Sequence, residues 1–296
     1  MLLHNKRLFM EDDKLKLLAD VINNVTDSLA FTILEVGAVP INNIEEPFYK
    51  LLNFFPKSRI IAFEVDQKVC DELNNNAKNG VKYFPVALGD KNTTRTFYET
   101  QDPMCSSLYQ PNERLMKKYN GLDMAMLKSI NTIETMTLDN FADRNDLDDI
   151  DFVKIDVQGA ELDIFKGATR ALENVVFIVS EVEFIPLYVG QPLFGDICNF
   201  LTKKKLMFHK FLDLGSRSLK PTIMNRDLYS GSQHMWSDAI FIKDIVTLYE
   251  VSPHKLLKMG FLSFLYGSGD VAYHCFSAYD KKNKTSISKE MINILT

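Results

Sequence analysis

The chain has 296 residues, a formal net charge of −5, 46% hydrophobic residues and 25% charged ones. That length suits one large domain or a domain with an appendage, and the composition is ordinary for a soluble globular protein. The acidic balance excludes the basic footprint expected of a nucleic-acid binder.

The four cysteines, Cys70, Cys105, Cys198 and Cys275, have no C-x-x-C spacing, so neither a zinc site nor a redox motif is signalled. The N-terminus lacks the apolar stretch of a signal peptide, and no run approaches the ~20 apolar residues of a membrane span. These features predict a reducing, cytoplasmic setting and no integral membrane segment. Lys203-Lys204-Lys205 is the one basic run of note and reads as a solvated helix end.

In chain order, Leu15, Leu18, Val21 and Ile22 recur at helical spacing over residues 12–25. "FTILEVG" (31–37) reads as a buried strand ending at a glycine. Pro47 opens a helix carrying Phe48, Leu51, Leu52 and Phe55, which Pro56 stops. "SRIIAFEVD" (58–66) is a second strand, whose Asp66 is placed to cap a helix with Val69, Leu73 and Ala77 on one face. "GVKYFPVALGD" (80–90) reads as a third strand. Strand-helix-strand-helix-strand with short turns predicts a parallel sheet with right-handed crossovers.

Residues 91–138 break this rhythm with one extra strand, "TTRTFYET", and several turn signals; an insertion over the sheet edge is expected, either a lid or a surface excursion. The alternation resumes with a strand at 150–157, a helix at 159–173, a strand at 175–184 and a helix at 194–204. Late strands follow at 206–214 and 238–244, joined by a long return. The organisation expected is a helical lead-in over 1–30, a main domain over 31–245 and a helical appendage over 246–296. That tail would pack on the sheet or mediate contact between copies of the chain, so a homo-oligomer stays open.

In an open parallel sheet, ligands bind at the carboxyl ends of the strands. The first strand delivers Glu35 and Gly37 there, the second Glu64, and the third Ala87-Leu88-Gly89-Asp90. The fourth delivers Asp156 and Gln158 with Glu161 a turn onward, and the fifth Glu181 and Glu183. This acid-rich rim suits a cationic ligand better than a phosphate. S-adenosylmethionine fits, with a sulfonium, an ammonium, a ribose and no phosphate. Glu64 would accept hydrogen bonds from the ribose hydroxyls, and Gly37 would let the loop backbone approach the ligand. Read singly, Gly37 is also a plain tight turn and Glu64 an exposed strand end. The absence of G-x-G-x-x-G at 35–43 argues against a dinucleotide.

Six segments in order, "ILEVGA", "IIAFEVD", "VALGD", "IETMTLDNF", "FVKIDVQGAELDIFKGA" and "SEVEF", together resemble the FkbM family of S-adenosylmethionine-dependent methyltransferases. The resemblance covers roughly residues 30–245. It is most specific at "VKIDVQGAELDIFKGA", where the family reads K-x-D-x-E-G-x-E-x-x-x-L-x-G. It implies a class I methyltransferase fold: Rossmann-like α/β, with a seven-stranded, mostly parallel sheet whose last strand is antiparallel. Helices would cover both faces. It also implies methyl transfer to a hydroxyl oxygen of a sugar, glycan or related natural product. Two positions depart from the family pattern: Ile41 replaces a second loop glycine, and Gln158 replaces a glutamate.

The candidate cofactor-binding residues are Glu35, Gly37, Ala38, Glu64, Val65, Ala87, Leu88 and Asp156. The candidate catalytic residues are Asp156, as general base, with Glu161 and Glu183. Each has a plainer reading: Asp156 as a loop organiser, Glu161 as a favourable first-turn acid. Lys154 lies on the face opposite Val153 and Ile155 and is expected to be buried beside an acid. His209 reads as a packed strand residue, and His234 and Trp236 either line a sugar site or pack in the core. No metal is expected, although Asp156, Glu183 and a third acid would suit a hard cation. Two alternatives remain: a catalytically impaired methyltransferase-like binding protein, favoured by Ile41 and Gln158, and a nicotinamide-dependent oxidoreductase.

Overall fold

The computed structural model describes residues 9–26, 28–38, 45–223 and 226–296. The loop positions Val39, Pro40 and Ile41 lie outside the described residues, and so does Ile41's departure from the family pattern.

Five parallel strands form the heart of the molecule: β1 (Thr32–Val36), β2 (Arg59–Phe63), β3 (Val81–Phe84), β7 (Phe152–Ile155) and β8 (Phe177–Glu183). The short β-branched and aromatic runs of β1, β2, β7 and β8 are buried on both faces, as parallel strands covered by helices must be, while β3 at the edge is only partly buried. Beyond β8, the ten-residue β11 (His234–Lys243) runs antiparallel. Its far edge pairs with β9 (Leu206–Phe211) and with the two-residue β10 (Gly215–Ser216). The sheet order is β3-β2-β1-β7-β8-β11, then β9 and β10. The chain reverses strand order between β1 and β7, which places a ligand site at the carboxyl ends there. This is the class I methyltransferase arrangement, with the last strand antiparallel.

The expected strand at 80–90 divides at Pro85, which has no N–H for a ladder. Beyond it, β4 (Ala87–Leu88) leaves for a second sheet, pairing with β6 (Leu127–Met136), which in turn pairs with β5 (Thr93–Thr100). The extra strand at 93–100 is therefore present. Its partner β6 was not expected, because six of its ten side chains are polar and its apolar ones do not alternate regularly. Residues between β5 and β6 include α4 (Glu113–Met116). They pack as a small core of their own, in which Met116, Tyr119 and Leu122 meet Tyr188 and Met235.

Helices cover both faces. On one lie α5 (Leu138–Arg144), α6 (Glu161–Lys166) and α7 (Phe194–Lys203). On the other lie α1 (Asp12–Asn23), the turn at Pro47–Lys50 with α2 (Leu51–Phe54), and the tail helices α8 (Pro253–Leu265), α9 (Gly269–Asn283) and α10 (Ile287–Leu295). Between β2 and β3 runs α3 (Gln67–Asn75), capped by Asp66, whose side chain accepts from the N–H groups of Lys68 and Val69. Residues 256–265 of α8 are buried all round, the mark of a core helix. Of the helix expected over 159–173, only 161–166 is helical. Gly167 follows it, and only glycine fits there, because a Cβ would overlap the carbonyl oxygen of Gly89. No helix among the described residues is long and apolar enough to cross a membrane.

Candidate active site

The strand ends open on a cavity of about 1330 Å³. Glu35, Gly37, Glu64, Val65, Ala87, Leu88, Asp156 and Glu183 line it. Ala38 and Glu161 lie behind it, 2% and 1% exposed.

Gly37 sits at φ +82°, and a Cβ there would overlap the carbonyl oxygen of Asp156. The N–H of Asp156 bonds to the Val36 carbonyl at 2.9 Å, and the N–H groups of Gly37 and Ala38 bond to the Phe63 carbonyl. The ends of β1, β2 and β7 are thus tied together through backbone.

Glu35 is 7% exposed and accepts a 2.6 Å hydrogen bond from the Tyr49 hydroxyl, which lies 3.3 Å from that of Tyr83. Burial pushes the Glu35 carboxyl up to about 8, even with Tyr49 donating to it. Glu64, half-buried at the end of β2, accepts from the Asp66 N–H at 2.9 Å and is raised by burial.

The acids of β7 and β8 form one group. Gln158, held at φ +57°, donates its Nε2 to Asp156 Oδ1 at 2.8 Å and to Glu181 Oε2 at 2.7 Å. The Tyr188 hydroxyl lies 3.0 Å from Gln158 Oε1 and 2.8 Å from the Cys105 carbonyl. Ser107 Oγ donates to the Gln158 carbonyl at 2.7 Å, which ties the 91–138 insertion to the site.

Lys154 faces away from Val153 and Ile155 and is 6% exposed. Its Nζ is 3.1 Å from Asp238 and 3.7 Å from Asp156. Burial works to raise Asp156, yet Lys154, Glu181 and Gln158 hold it below the usual carboxylate range. Burial pushes Glu181 and Glu183 well above that range, reinforced by neighbouring acids. The group thus favours negative charge on Asp156 and protons on Glu181 and Glu183.

Glu161 accepts from the N–H groups of Val157 and Gly159 at 2.9 and 3.2 Å, so it organises the turn that carries Gln158. Burial raises it to about 7. Its other oxygen is buried without a hydrogen-bond partner among the described residues, as is one oxygen of Glu183. Asp156, Glu161 and Glu181 each bring one oxygen within 4.8 Å of the others. That set has the hard donors a divalent cation prefers, and it uses Glu181 where the sequence pointed to Glu183.

His209 is packed against Ser268, 2.7 Å away. Trp236 lines the cavity, and His234 is exposed at its strand end. Tyr49, Tyr188, Asp238 and Arg217 also belong to the site. Sequence reading missed them because each arrives from a distant segment. The alternation of β11 was the one signal available, since Trp236 and Asp238 share a face.

The profile of the methyltransferase FkbM domain matches residues 35–210, more than half of the chain. The chain belongs to the FkbM methyltransferase family. It is similar to the 2-O-methyltransferase NoeI of Sinorhizobium fredii, at 26% identity over 185 residues, covering 59% of this chain and 72% of that protein. It is also similar to the hexuronic acid methyltransferase AglP of Haloferax volcanii, at 24% identity over 127 residues, covering 43% of this chain and 48% of that protein. This FkbM family member is a methyltransferase, and the oxidoreductase alternative falls with that finding.

Proposed function

We propose that this methyltransferase takes S-adenosylmethionine as its methyl donor and a sugar hydroxyl as its acceptor. The observation that carries the donor is the meeting of Gly37 with Asp156 beneath an acid-lined cavity. A bare backbone turn beside buried carboxylates suits a cationic ligand that must approach closely. The two relatives, one transferring to a 2-O position and one acting on a hexuronic acid, support a sugar acceptor.

Bound there, S-adenosylmethionine would supply an electrophilic methyl group on a sulfonium. Glu64 would hold the ribose hydroxyls with its carboxylate, and Val65, Ala87 and Leu88, which line the same cavity, would take the adenine. Glu35, which lines the same cavity, would face the cationic end and release its proton as that charge binds. The ionised Asp156 accepts a hydrogen bond from the acceptor hydroxyl, aligns its oxygen and receives its proton. Gln158 fixes the Asp156 carboxylate, and Glu161 positions the turn that carries Gln158. Glu183, as a neutral acid, keeps a second negative charge away from the centre.

Calorimetric titration with S-adenosylmethionine, with NAD as control, tests this reading. Micromolar binding of the first alone is expected, lost in Glu64→Ala while the melting curve is kept. Binding of neither would favour the non-catalytic alternative.

A further inference from the structure

One cation in the cavity wall is out of keeping with the acid rim. Arg217 follows β10 and lines the same cavity as Asp156 and Gln158. Its guanidinium carbon lies 4.5 Å from the centre of the Tyr229 ring and 4.6 Å from that of Trp236. The arrangement is built into the fold. Gly215 pairs with Trp236 across the β10–β11 ladder, and a Cβ at Gly215 would overlap the indole. Gly121, at φ +70° in the insertion, lies against the arginine stem: a Cβ there would sit 3.6 Å from Nε and 3.7 Å from Cδ.

The donors of this guanidinium are largely unspent. Nη1 donates to the Ser216 carbonyl at 2.8 Å. Nε is buried and has no hydrogen-bond partner among the described residues. Arg95 and Arg170 pair with carboxylates, whereas Arg217 pairs with none among the described residues. Holding a cation half-buried without an anion costs free energy that ring faces offset only in part. A planar fork fixed in this way matches a carboxylate bidentately.

The donor's own carboxylate is not that partner. β10 lies four strand spacings from β1, roughly 19 Å, whereas the donor is placed at the ends of β1 and β2. Arg217 stands instead on the β10–β11 side of the cavity that Asp156 and Gln158 also line.

We propose that Arg217 is the specificity-determining residue of the acceptor site and that the acceptor is an acidic sugar, its carboxylate held by the guanidinium between Trp236 and Tyr229. This rests on the sugar methyltransferase reading and narrows its substrate class.

The test is calorimetric. The protein, alone and saturated with S-adenosylhomocysteine, is titrated with methyl β-D-glucuronide, methyl β-D-glucoside and glucose 6-phosphate. The glucuronide is expected to bind at least about tenfold more tightly than the glucoside, the worth of one charge-assisted hydrogen bond. Arg217→Gln should erase that difference and leave S-adenosylhomocysteine affinity unchanged. Arg217→Lys, which keeps the charge without the fork, should retain part of it. The wild-type comparison stands even where a variant fails to fold. Equal affinity for glucuronide and glucoside, or preference for the phosphate ester, overturns the proposal. Failure of S-adenosylhomocysteine to bind overturns the donor assignment, and the titrations on the protein alone keep the two failures apart.

Discussion

Gly37 and Asp156 meet backbone to backbone where β1 and β7 leave the sheet, and no side chain fits between them. The contact fixes the height of the Asp156 carboxylate relative to the turn proposed to hold the donor. Gly37→Ala would force a Cβ into a carbonyl oxygen at φ +82°. The left-handed conformation alone costs about 1–2 kcal/mol. The variant should lose at least ~2 kcal/mol of stability and S-adenosylmethionine binding with it. Urea melts and calorimetry measure both, and a variant that binds normally would remove the turn from the site.

Gln158 is the second hinge of the site. Its amide nitrogen stands between two carboxylates, Asp156 and Glu181. Gln158→Glu restores the family's residue but sets a third carboxylate within hydrogen-bond reach of both. A proton or a cation must then take the place of the amide hydrogens. The variant's melting temperature should fall more steeply than that of wild type between pH 6 and 8. Magnesium or manganese should raise it more in the variant than in wild type. Parallel pH profiles would show that the amide is not bridging the acids.

The parallel core was legible because buried strands carry unbroken apolar runs, as in "FTILEVG" and "VVFIVSEVEF". Asp66 was legible as a cap because capping is local. What escaped depends on contacts between distant segments. The polar β6 looks like a loop until β5 and β4 supply its partners. Gly167 must be glycine only because Gly89 lies against it. The acids of the rim could be named from strand ends alone, but their protonation could not. Burial sets it first, and Tyr49 on Glu35 and Gln158 on Glu181 adjust it across segments; of the partners, only Lys154 was placed beside an acid by the alternation of its strand.

Glu35 makes such protonation measurable. Unfolded, it ionises near 4.5; in the fold it does so at about 8. Between those values the unfolded chain binds fewer protons than the native one, so stability falls as pH rises. The slope is up to ~1.4 kcal/mol per pH unit. The contribution is complete below 4.5 and lost as pH passes through 8. Glu35→Gln removes this term and leaves those of Glu161, Glu181 and Glu183 in place. The difference between variant and wild type should therefore shift in favour of the variant from pH 5 to pH 8. Urea melts at those two values decide it, and a constant difference would refute the burial of Glu35 as a neutral acid.

Far from the cavity, Asp151 joins the tail to the sheet. It is fully buried, takes the Thr32 N–H at 2.7 Å, and pairs with Lys258 Nζ at 2.8 Å and Lys255 Nζ at 2.6 Å. Two cations share one carboxylate, so the two sides of the knot respond differently. Asp151→Asn leaves Lys255 with Asp149 at 2.7 Å but strands the buried Lys258, and should cost ~3–5 kcal/mol. Lys258→Met keeps the volume of the side chain and leaves Lys255 paired with Asp151, so it should cost much less. The double variant should be more stable than the sum of the two losses implies, because each substitution removes the other's unpaired partner. Urea denaturation of the four proteins completes the cycle. Strict additivity would mean that α8 is held by its apolar contacts alone.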